Sequence, residues 1–368
     1  MLSRLKFICI AFLSIMLIEP VVANVEKCEV SNEYLKSWVK KNNLTSAVVR
    51  IEDLNSHKID YHSFGKVQLN ATSNVRPLSI YGVGSISKTF LSALILKLQE
   101  EGKINLSDTV TKYFPEYTRW NKITIHQLLN MTSGIFNFTE SKEFKTLSKI
   151  GNRNIIHEYE LVNLAYSKKD YFPPGSGWHY SNTGYILAGM IIEKITKSKI
   201  DNLYEKYFVR PLKLRNSFYS NKFYPESVIK KMANAYKNDI DITNFNGGAY
   251  GVAGAMVMNS DDIATWVKSL LIYKSVINNK SLEKFKEVIS IPTTPPKPSN
   301  SKYGLGIYSL EIPNIGNIWW YTGVIDGYTS VFVYAPKINK LIVVQAASWN
   351  DDYSILFPNN DLLKCILI

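Results

Sequence analysis

The sequence predicts an α+β fold: an antiparallel five-stranded sheet built from both chain ends, flanked by helices, with a mainly helical domain inserted between its halves. Residues 46–54 and 58–64, and further segments after residue 303, are rich in β-branched and aromatic residues. Between residues 107 and 290, apolar side chains recur mostly at helical spacing. The proline-rich segment 291–300 reads as a linker between the two regions.

These patterns define a discontinuous sheet domain, residues 24–75 and 295–368, around a helical domain, residues 76–294. Each element is predicted from the spacing of its apolar residues and from the glycine, proline and capping residues at its ends. Helices are predicted over 31–42, 108–114, 124–131, 155–167, 183–197, 260–273 and 360–367, with weaker ones over 201–208 and 283–289. The late strands are predicted over 303–310, 319–323, 328–334 and 341–347.

The first 23 residues have the pattern of a secretory signal peptide. Arg4 and Lys6 precede an apolar run from Phe7 to Ile18, which is short for a membrane span, and the small residues before Asn24 suit cleavage. An uncleaved anchor is the alternative. We therefore expect export to the periplasm or the medium, with no transmembrane segment once the signal is removed.

The cysteines and the net charge suggest two further expectations, one about a disulfide bond and one about binding partners. Removing the signal leaves Cys28 and Cys365, which in an oxidising compartment either pair or remain unrelated thiols. The formal net charge is +12. Because the basic residues are spread out, the sequence does not predict nucleic-acid binding. The positive charge either attracts the protein to anionic envelope polymers or keeps it soluble.

The first candidate site is a glycine-punctuated turn that runs into a periodic helix. Ser85 stands at the start of this helix and Lys88 follows one turn later on the same face. A serine hydroxyl becomes a nucleophile when a neighbouring base takes its proton, and a lysine serves as that base when burial lowers its pKa. Other serines in the chain also precede a lysine by three residues, so context must distinguish Ser85. Taken alone, such a pair is more simply a helix cap followed by a solvated lysine.

A second candidate site lies in a loop framed by prolines and glycines. Tyr180 and Asn182 are two residues apart, so an extended backbone points both side chains the same way. A phenol can relay protons, and an amide can hydrogen-bond both a lysine and a substrate amide. The alternative for Tyr180 is an ordinary loop aromatic.

The third candidate is the segment Tyr321, Thr322, Gly323 and Val324, where a strand ends. Such a strand offers an open edge that can pair with an extended substrate, and glycine permits close approach. An ordinary turn of the sheet is the alternative.

Together, in this order, the three groups resemble the penicillin-recognising serine hydrolases, which include class C β-lactamases, serine D-alanyl-D-alanine carboxypeptidases and β-lactamase-like esterases. The resemblance covers about residues 30–365 and implies their β-lactamase/transpeptidase-like fold. It implies that Ser85 is the nucleophile, that Lys88 accepts its proton, and that Tyr180 passes a proton to the leaving group and then activates water. Asn182 would orient Lys88 and the substrate amide. No metal or organic cofactor is implied.

The same resemblance implies an oxyanion hole made of the main-chain N–H groups of Ser85 and Val324. The departure is Tyr321, because the family usually has lysine or histidine there, near a substrate carboxylate. A tyrosine keeps a hydrogen-bond donor and loses the cation. His179 could supply part of that charge, although a packed loop histidine is the simpler interpretation.

The leading hypothesis is an exported, monomeric acyl-serine hydrolase that resembles a D-alanyl-D-alanine carboxypeptidase acting on peptidoglycan peptides. A β-lactamase-like esterase acting on small esters and a class C-type β-lactamase acting on β-lactams share the same chemistry and remain open. A non-catalytic envelope-binding module that keeps the fold is the alternative of a different class.

Overall fold

The computed structural model describes residues 30–68, 72–147, 156–237, 240–245, 247–293, 297–348, 357–358 and 360–367. The predicted signal peptide and Cys28 lie outside these residues. Cys365 takes part in a disulfide bond.

The elements follow in chain order. The helices are α1 Asn32–Lys41, α2 Ser87–Glu100, α3 Val110–Tyr113, α4 Ile125–Leu129, α5 Lys142–Leu147, α6 Glu158–Tyr166, α7 Asn182–Thr196, α8 Ile200–Tyr204, α9 Arg210–Leu212, α10 Glu226–Ile229, α11 Ser260–Val267, α12 Asn279–Phe285 and α13 Asp361–Leu367. The strands are β1 Leu44–Asp53, β2 Ile59–Gly65, β3 Tyr81–Gly82, β4 Ser217–Tyr219, β5 Tyr236–Lys237, β6 Ile240–Asp241, β7 Met256–Met258, β8 Ile289–Ser290, β9 Lys302–Tyr303, β10 Tyr308–Ile312, β11 Gly316–Ile325, β12 Tyr328–Ala335 and β13 Lys340–Ser348.

The main sheet is antiparallel and has the order β2-β1-β13-β12-β11-β10-β9-β8, so strands from the two chain ends meet at the β1–β13 pair. This confirms the predicted α+β class and the assembly of the sheet from both ends. The predicted number of five strands is wrong, because the described residues place eight strands in this sheet. Strands β8 and β9 have two residues each, too few for a periodic pattern, and β2 extends the opposite edge.

Both faces of the sheet are covered, as the continuous burial of β13 from Leu341 to Ser348 shows. Successive side chains along β1 point to opposite faces of the sheet. Ala47 and Val49 join the core that contains the apolar side of α1. Arg50 points the other way and donates a hydrogen bond from Nε to Asp261 on α11 at 2.8 Å.

Helix α2 lies at the centre of the molecule. Eleven of its fourteen residues are buried, which marks a helix surrounded by other elements rather than one on the surface. It ends at Glu100, and Gly102 just beyond it has a positive φ of +70°, which favours glycine. Helix α4 begins at a threonine cap, with Thr124 and Gln127 forming a reciprocal capping box.

A second, three-stranded sheet of order β3-β7-β4 was not predicted. Strand β3 leads directly into the turn that carries Ser85, and Val83 donates a main-chain hydrogen bond to Met256 on β7 at 3.0 Å. This sheet therefore fixes the entry to α2. Within the described residues, no helix is both long and apolar enough to cross a membrane.

Candidate active site

Ser85 lies in a single 3₁₀ turn, Gly84–Ile86, that joins directly to α2. Its neighbours in the turn are buried, whereas Ser85 itself is half-buried and can be reached from outside. Lys88 is in the first turn of α2 and is fully buried. The two side chains meet, with Lys88 Nζ 3.0 Å from Ser85 Oγ.

Two further oxygen atoms surround the Lys88 nitrogen. One is Asn182 Oδ1 and the other is the main-chain carbonyl oxygen of Ala253, each at 2.7 Å. Both atoms only accept hydrogen bonds. A neutral amine can donate its two N–H groups to them and direct its lone pair at the Ser85 hydroxyl. After it gains a proton, the ammonium group still has an acceptor for each of the two original N–H groups.

The protonation state follows from burial. Desolvation lowers the pKa of Lys88 well below its ordinary value, because a buried ammonium group has lost its hydration. Among the described residues, no carboxylate hydrogen-bonds Lys88. The site therefore favours the neutral amine, which is the form that can accept a proton.

Tyr180 completes the contact around Ser85. Its hydroxyl lies 2.6 Å from Ser85 Oγ, and its ring centroid lies 4.9 Å from Lys88 Nζ. Burial raises the pKa of Tyr180 to about 12, and hydrogen bonds with Ser85 and Tyr321 partly oppose that rise. The phenol consequently carries its proton at neutral pH.

The backbone explains why Tyr180 and Asn182 point to the same place. Ser181 between them is extended, with φ −140° and ψ 116°, and Asn182 is the first residue of α7. The Asn182 amide nitrogen lies 3.4 Å from Asn137 Oδ1 and 3.3 Å from Thr139 Oγ1. This arrangement turns the amide oxygen toward Lys88.

Gly84 and Gly323 allow β11 to approach the Ser85 turn. A Cβ atom on Gly323 would lie 1.8 Å from the Val83 carbonyl oxygen and 2.8 Å from the Ser85 nitrogen. A Cβ atom on Gly84, where φ is +48°, would lie 2.4 Å from the Val324 nitrogen. Any side chain at either position would push the strand and the turn apart.

One edge of β11 is open beside this turn. Strand β11 pairs with β12 up to Ile325 but with β10 only as far as Trp320, so no described strand covers that edge of residues 321–325. The two-residue turn after Ile325 makes Ile325 and Tyr328 a hydrogen-bonded pair. Because such pairs alternate along an antiparallel ladder, the Val324 N–H points to the open edge.

Tyr321 lies beneath the cleft, with only 1% of its surface exposed. Its hydroxyl is 2.9 Å from the Tyr303 hydroxyl, and its ring packs against Tyr303 and Tyr308. Thr322 and Val324 on the same strand are half-buried. The position where the resemblance implied a cation therefore holds a buried neutral phenol.

The structure thus brings Ser85, Lys88, Tyr180 and Asn182 into direct contact and places the β11 edge beside them. The His179 ring is a packed loop histidine, stacked on Tyr171 with ring centroids 3.8 Å apart.

Three contributors were missed by sequence reasoning. The Ala253 carbonyl has no side-chain signature. Tyr303 pairs with Tyr321 from another strand, and Lys297 lies in the segment interpreted as a linker, with its ammonium nitrogen 5.7 Å from the Tyr180 ring centroid. An isolated lysine among prolines carries no motif that would have revealed this position.

Similar proteins place this geometry in a family. The family model described as Beta-lactamase matches residues 53–360. Protein flp of Staphylococcus aureus strain MW2 is 27% identical over 305 residues, covering 79% of this chain and 57% of that protein. Penicillin-binding protein 4* of Bacillus subtilis strain 168 is 23% identical over 307 residues, covering 80% of this chain and 66% of that protein. The chain thus spans less than two thirds of either relative.

Solved structures agree with this result. A D-stereospecific amidohydrolase from Streptomyces sp. superposes with a TM-score of 0.75 and 28% identity, covering 87% of this chain and 94% of that one. The D-amino acid amidase of Ochrobactrum anthropi SV3, complexed with L-phenylalanine amide, gives a TM-score of 0.78 at 19% identity, covering 90% and 94%. The chain therefore belongs to the Beta-lactamase family, within the penicillin-recognising serine hydrolases.

Proposed function

We propose that this protein is an exported acyl-serine hydrolase that resembles a D-alanyl-D-alanine carboxypeptidase and cleaves peptidoglycan peptides. The observation that carries the proposal is the contact of Ser85 Oγ with both Lys88 Nζ and the Tyr180 hydroxyl, at 3.0 and 2.6 Å. Ser85 is the nucleophile in this proposal, Lys88 its base and Tyr180 the acid for the leaving group.

Acylation then runs as a balanced set of proton transfers. Lys88 takes the Ser85 proton while Oγ bonds to the substrate carbonyl carbon, and the developing oxyanion is held by the N–H groups of Ser85 and Val324. Tyr180 gives its proton to the leaving amine as the C–N bond breaks. Lys88 is left as ammonium and Tyr180 as phenolate, held close together by the geometry already described.

Deacylation reverses these transfers. The Tyr180 phenolate takes a proton from water, and the resulting hydroxide attacks the ester carbonyl. Lys88 returns its proton to Ser85 Oγ as the ester bond breaks. Asn182 holds Lys88 throughout, and the chain supplies every proton carrier that the cycle uses.

Support for amide and peptide substrates comes from the similar proteins. One similar solved structure, at 28% identity, is a D-stereospecific amidohydrolase, and a penicillin-binding protein is among the relatives. Thr322, Gly323 and Val324 offer an open edge to an extended peptide.

A second candidate is hydrolysis of neutral D-amino acid amides. The observation in its favour is Tyr321, a buried neutral phenol at the position where the resemblance implied a cation for a substrate carboxylate. The esterase and class C-type β-lactamase activities use the same groups and differ only in the acyl compound.

The test is intact-mass analysis after incubation with benzylpenicillin, followed by peptide mapping. We expect an adduct on Ser85 in the natural chain and none in Ser85→Ala. Turnover assays with a D-Ala-D-Ala-terminated peptide, D-phenylalanine amide and a nitrophenyl ester then separate the candidate substrates. If the natural chain shows neither acylation nor turnover of any of these substrates, the non-catalytic binding module becomes the better hypothesis.

A further inference from the structure

Lys297 brings a positive charge to the cleft from the proline-rich segment. Its ammonium nitrogen lies 4.8 Å from the ring centroid of Trp178, 5.7 Å from that of Tyr180 and 5.9 Å from that of Tyr308. Trp178 and Tyr180 belong to the loop before α7, and Tyr308 belongs to β10. Lys297 therefore lies between the loop that carries Tyr180 and strand β10.

The neighbours of this lysine in the described part of the chain are aromatic rings. Within the described residues its ammonium group makes neither a hydrogen bond nor an ion pair. Burial lowers the pKa of Lys297 to about 8, and no charged neighbour contributes to that shift. A half-buried cation held only by aromatic rings gains more from an incoming anion than a solvated lysine does, because much of its hydration has already been lost.

The position of Lys297 indicates which part of the substrate it meets. Under the proposed function, Tyr180 protonates the leaving group, so the Tyr180 side of the cleft is the leaving-group side. Tyr308 packs against Tyr321 with ring centroids 5.1 Å apart. The Tyr308 ring thus lies between Lys297 and the buried phenol of Tyr321, at the position where a cation was expected.

We propose that Lys297 is a specificity-determining residue that binds a carboxylate on the leaving group of the substrate. The inference rests on the proposed function and deepens it. It assigns to this site substrates that release a carboxylate-bearing group, such as the C-terminal residue of a peptide, over neutral amides and simple esters.

The experiment uses two matched thioesters with the same N-acyl-D-alanyl group. One releases thioglycolate, which carries a carboxylate, and the other releases the uncharged thioglycolamide. Thiol release by the full chain gives kcat/KM for each thioester. The value for the thioester that releases thioglycolate, divided by the value for the one that releases thioglycolamide, isolates the interaction with the carboxylate. Each variant is compared with the natural chain through this ratio, so a general loss of activity cancels.

We expect Lys297→Met to reduce the ratio at least about tenfold, which matches one lost hydrogen bond to a charged group. Lys297→Arg should retain the preference, because arginine also binds carboxylates. The control is Lys194→Met. Lys194 also packs on an aromatic ring, with Nζ 4.6 Å from the Phe114 centroid, but lies twelve residues beyond Asn182 on α7, roughly 18 Å away along the helix.

The pH profile gives a readout that a purely structural lysine would not change. In the natural chain the ratio should fall as pH rises through about 8, where Lys297 loses its charge. Tyr180 and Tyr308, which face Lys297, have raised pKa values and stay neutral there. Titration of Lys88 affects both substrates and cancels. In Lys297→Arg the ratio should be flat.

The two proposals fail in different ways. Turnover of neither thioester, or turnover that survives Ser85→Ala, overturns the proposed function. Turnover that needs Ser85, with a ratio that is the same in the natural chain and in Lys297→Met, overturns the role of Lys297 alone.

Discussion

The side-chain nitrogen of Lys88 lies 2.7 Å from the main-chain carbonyl oxygen of Ala253. Ala253 belongs to a glycine-rich segment, residues 247–254, and lies far from α2 in sequence. Together with Asn182 Oδ1, also at 2.7 Å, it provides two fixed acceptors that direct the amine toward Ser85. The position of the base is therefore set by two elements outside its own helix.

Lys88→Met and Lys88→Arg should both slow acylation by benzylpenicillin by about 10²–10⁴-fold, the usual contribution of a general base. Arginine should not rescue the rate, because its guanidinium group does not lose a proton at accessible pH. Stopped-flow acylation measures the rate, and circular dichroism checks the fold. An arginine variant that acylates at the natural rate would contradict the role of Lys88 as base.

The same lysine should make stability depend on pH. Its pKa is lowered in the folded protein but ordinary in the unfolded chain, so the unfolded state binds more protons between these two values. The free energy of unfolding then rises with pH in that window, by up to about 1.4 kcal/mol per pH unit. Below the folded pKa, Lys88 is charged in both states, and the folded protein bears the full cost of burying the ammonium group.

Urea unfolding of the natural chain and Lys88→Met measures this effect. Below the ordinary lysine pKa of about 10.4, we expect the natural chain to gain more stability than the variant as pH rises. Other titrating groups, including Lys297, contribute to both proteins and cancel. Parallel pH profiles for the two proteins would show that Lys88 is charged in the folded state.

Gly323→Ala should abolish acylation, because its Cβ would lie 1.8 Å from the Val83 carbonyl oxygen and force β11 away from the Ser85 turn. The control is Gly102→Ala. Gly102 also has a positive φ, of +70°, but an added Cβ would meet no atom within 4 Å. That variant should lose about 1 kcal/mol of stability and acylate normally. Equal acylation by both variants would refute the predicted oxyanion geometry.

The central part of the fold was predictable because α2 and the long strands carry strong periodic patterns. The short strands were not predictable. Strands β8 and β9 hold two residues each, and their pairing depends on tertiary contacts rather than on local sequence. The division into two domains and the predicted signal peptide remain predictions.

In the candidate site, Ser85, Lys88, Tyr180 and Asn182 could be named because each lies in a short local pattern. Ala253 contributes only a carbonyl group, which any residue supplies, so no residue type could reveal it. Lys297 reaches the cleft because the chain folds back across β10 and the loop before α7. That approach is a tertiary relationship, and composition alone marked its segment as a linker.

Tyr321→Phe tests the buried phenols below the cleft. It removes a hydroxyl that lies 2.9 Å from that of Tyr303 and that also hydrogen-bonds Tyr180. We expect a loss of about 1 kcal/mol in the free energy of unfolding, since a buried hydroxyl loses its partner. Loss of this hydrogen bond should also raise the pKa of Tyr180 further and slow deacylation, measured as the lifetime of the acyl-enzyme.

The control is Tyr204→Phe, the same substitution at another buried tyrosine. The Tyr204 hydroxyl has no hydrogen-bond partner within the described part of the chain. Removing it eliminates an unsatisfied polar group, so stability should stay the same or increase. If both variants lose equal stability, the hydroxyl contact between Tyr321 and Tyr303 contributes nothing specific. If only Tyr321→Phe is destabilised while the acyl-enzyme lifetime stays unchanged, Tyr321 supports the fold but does not tune Tyr180.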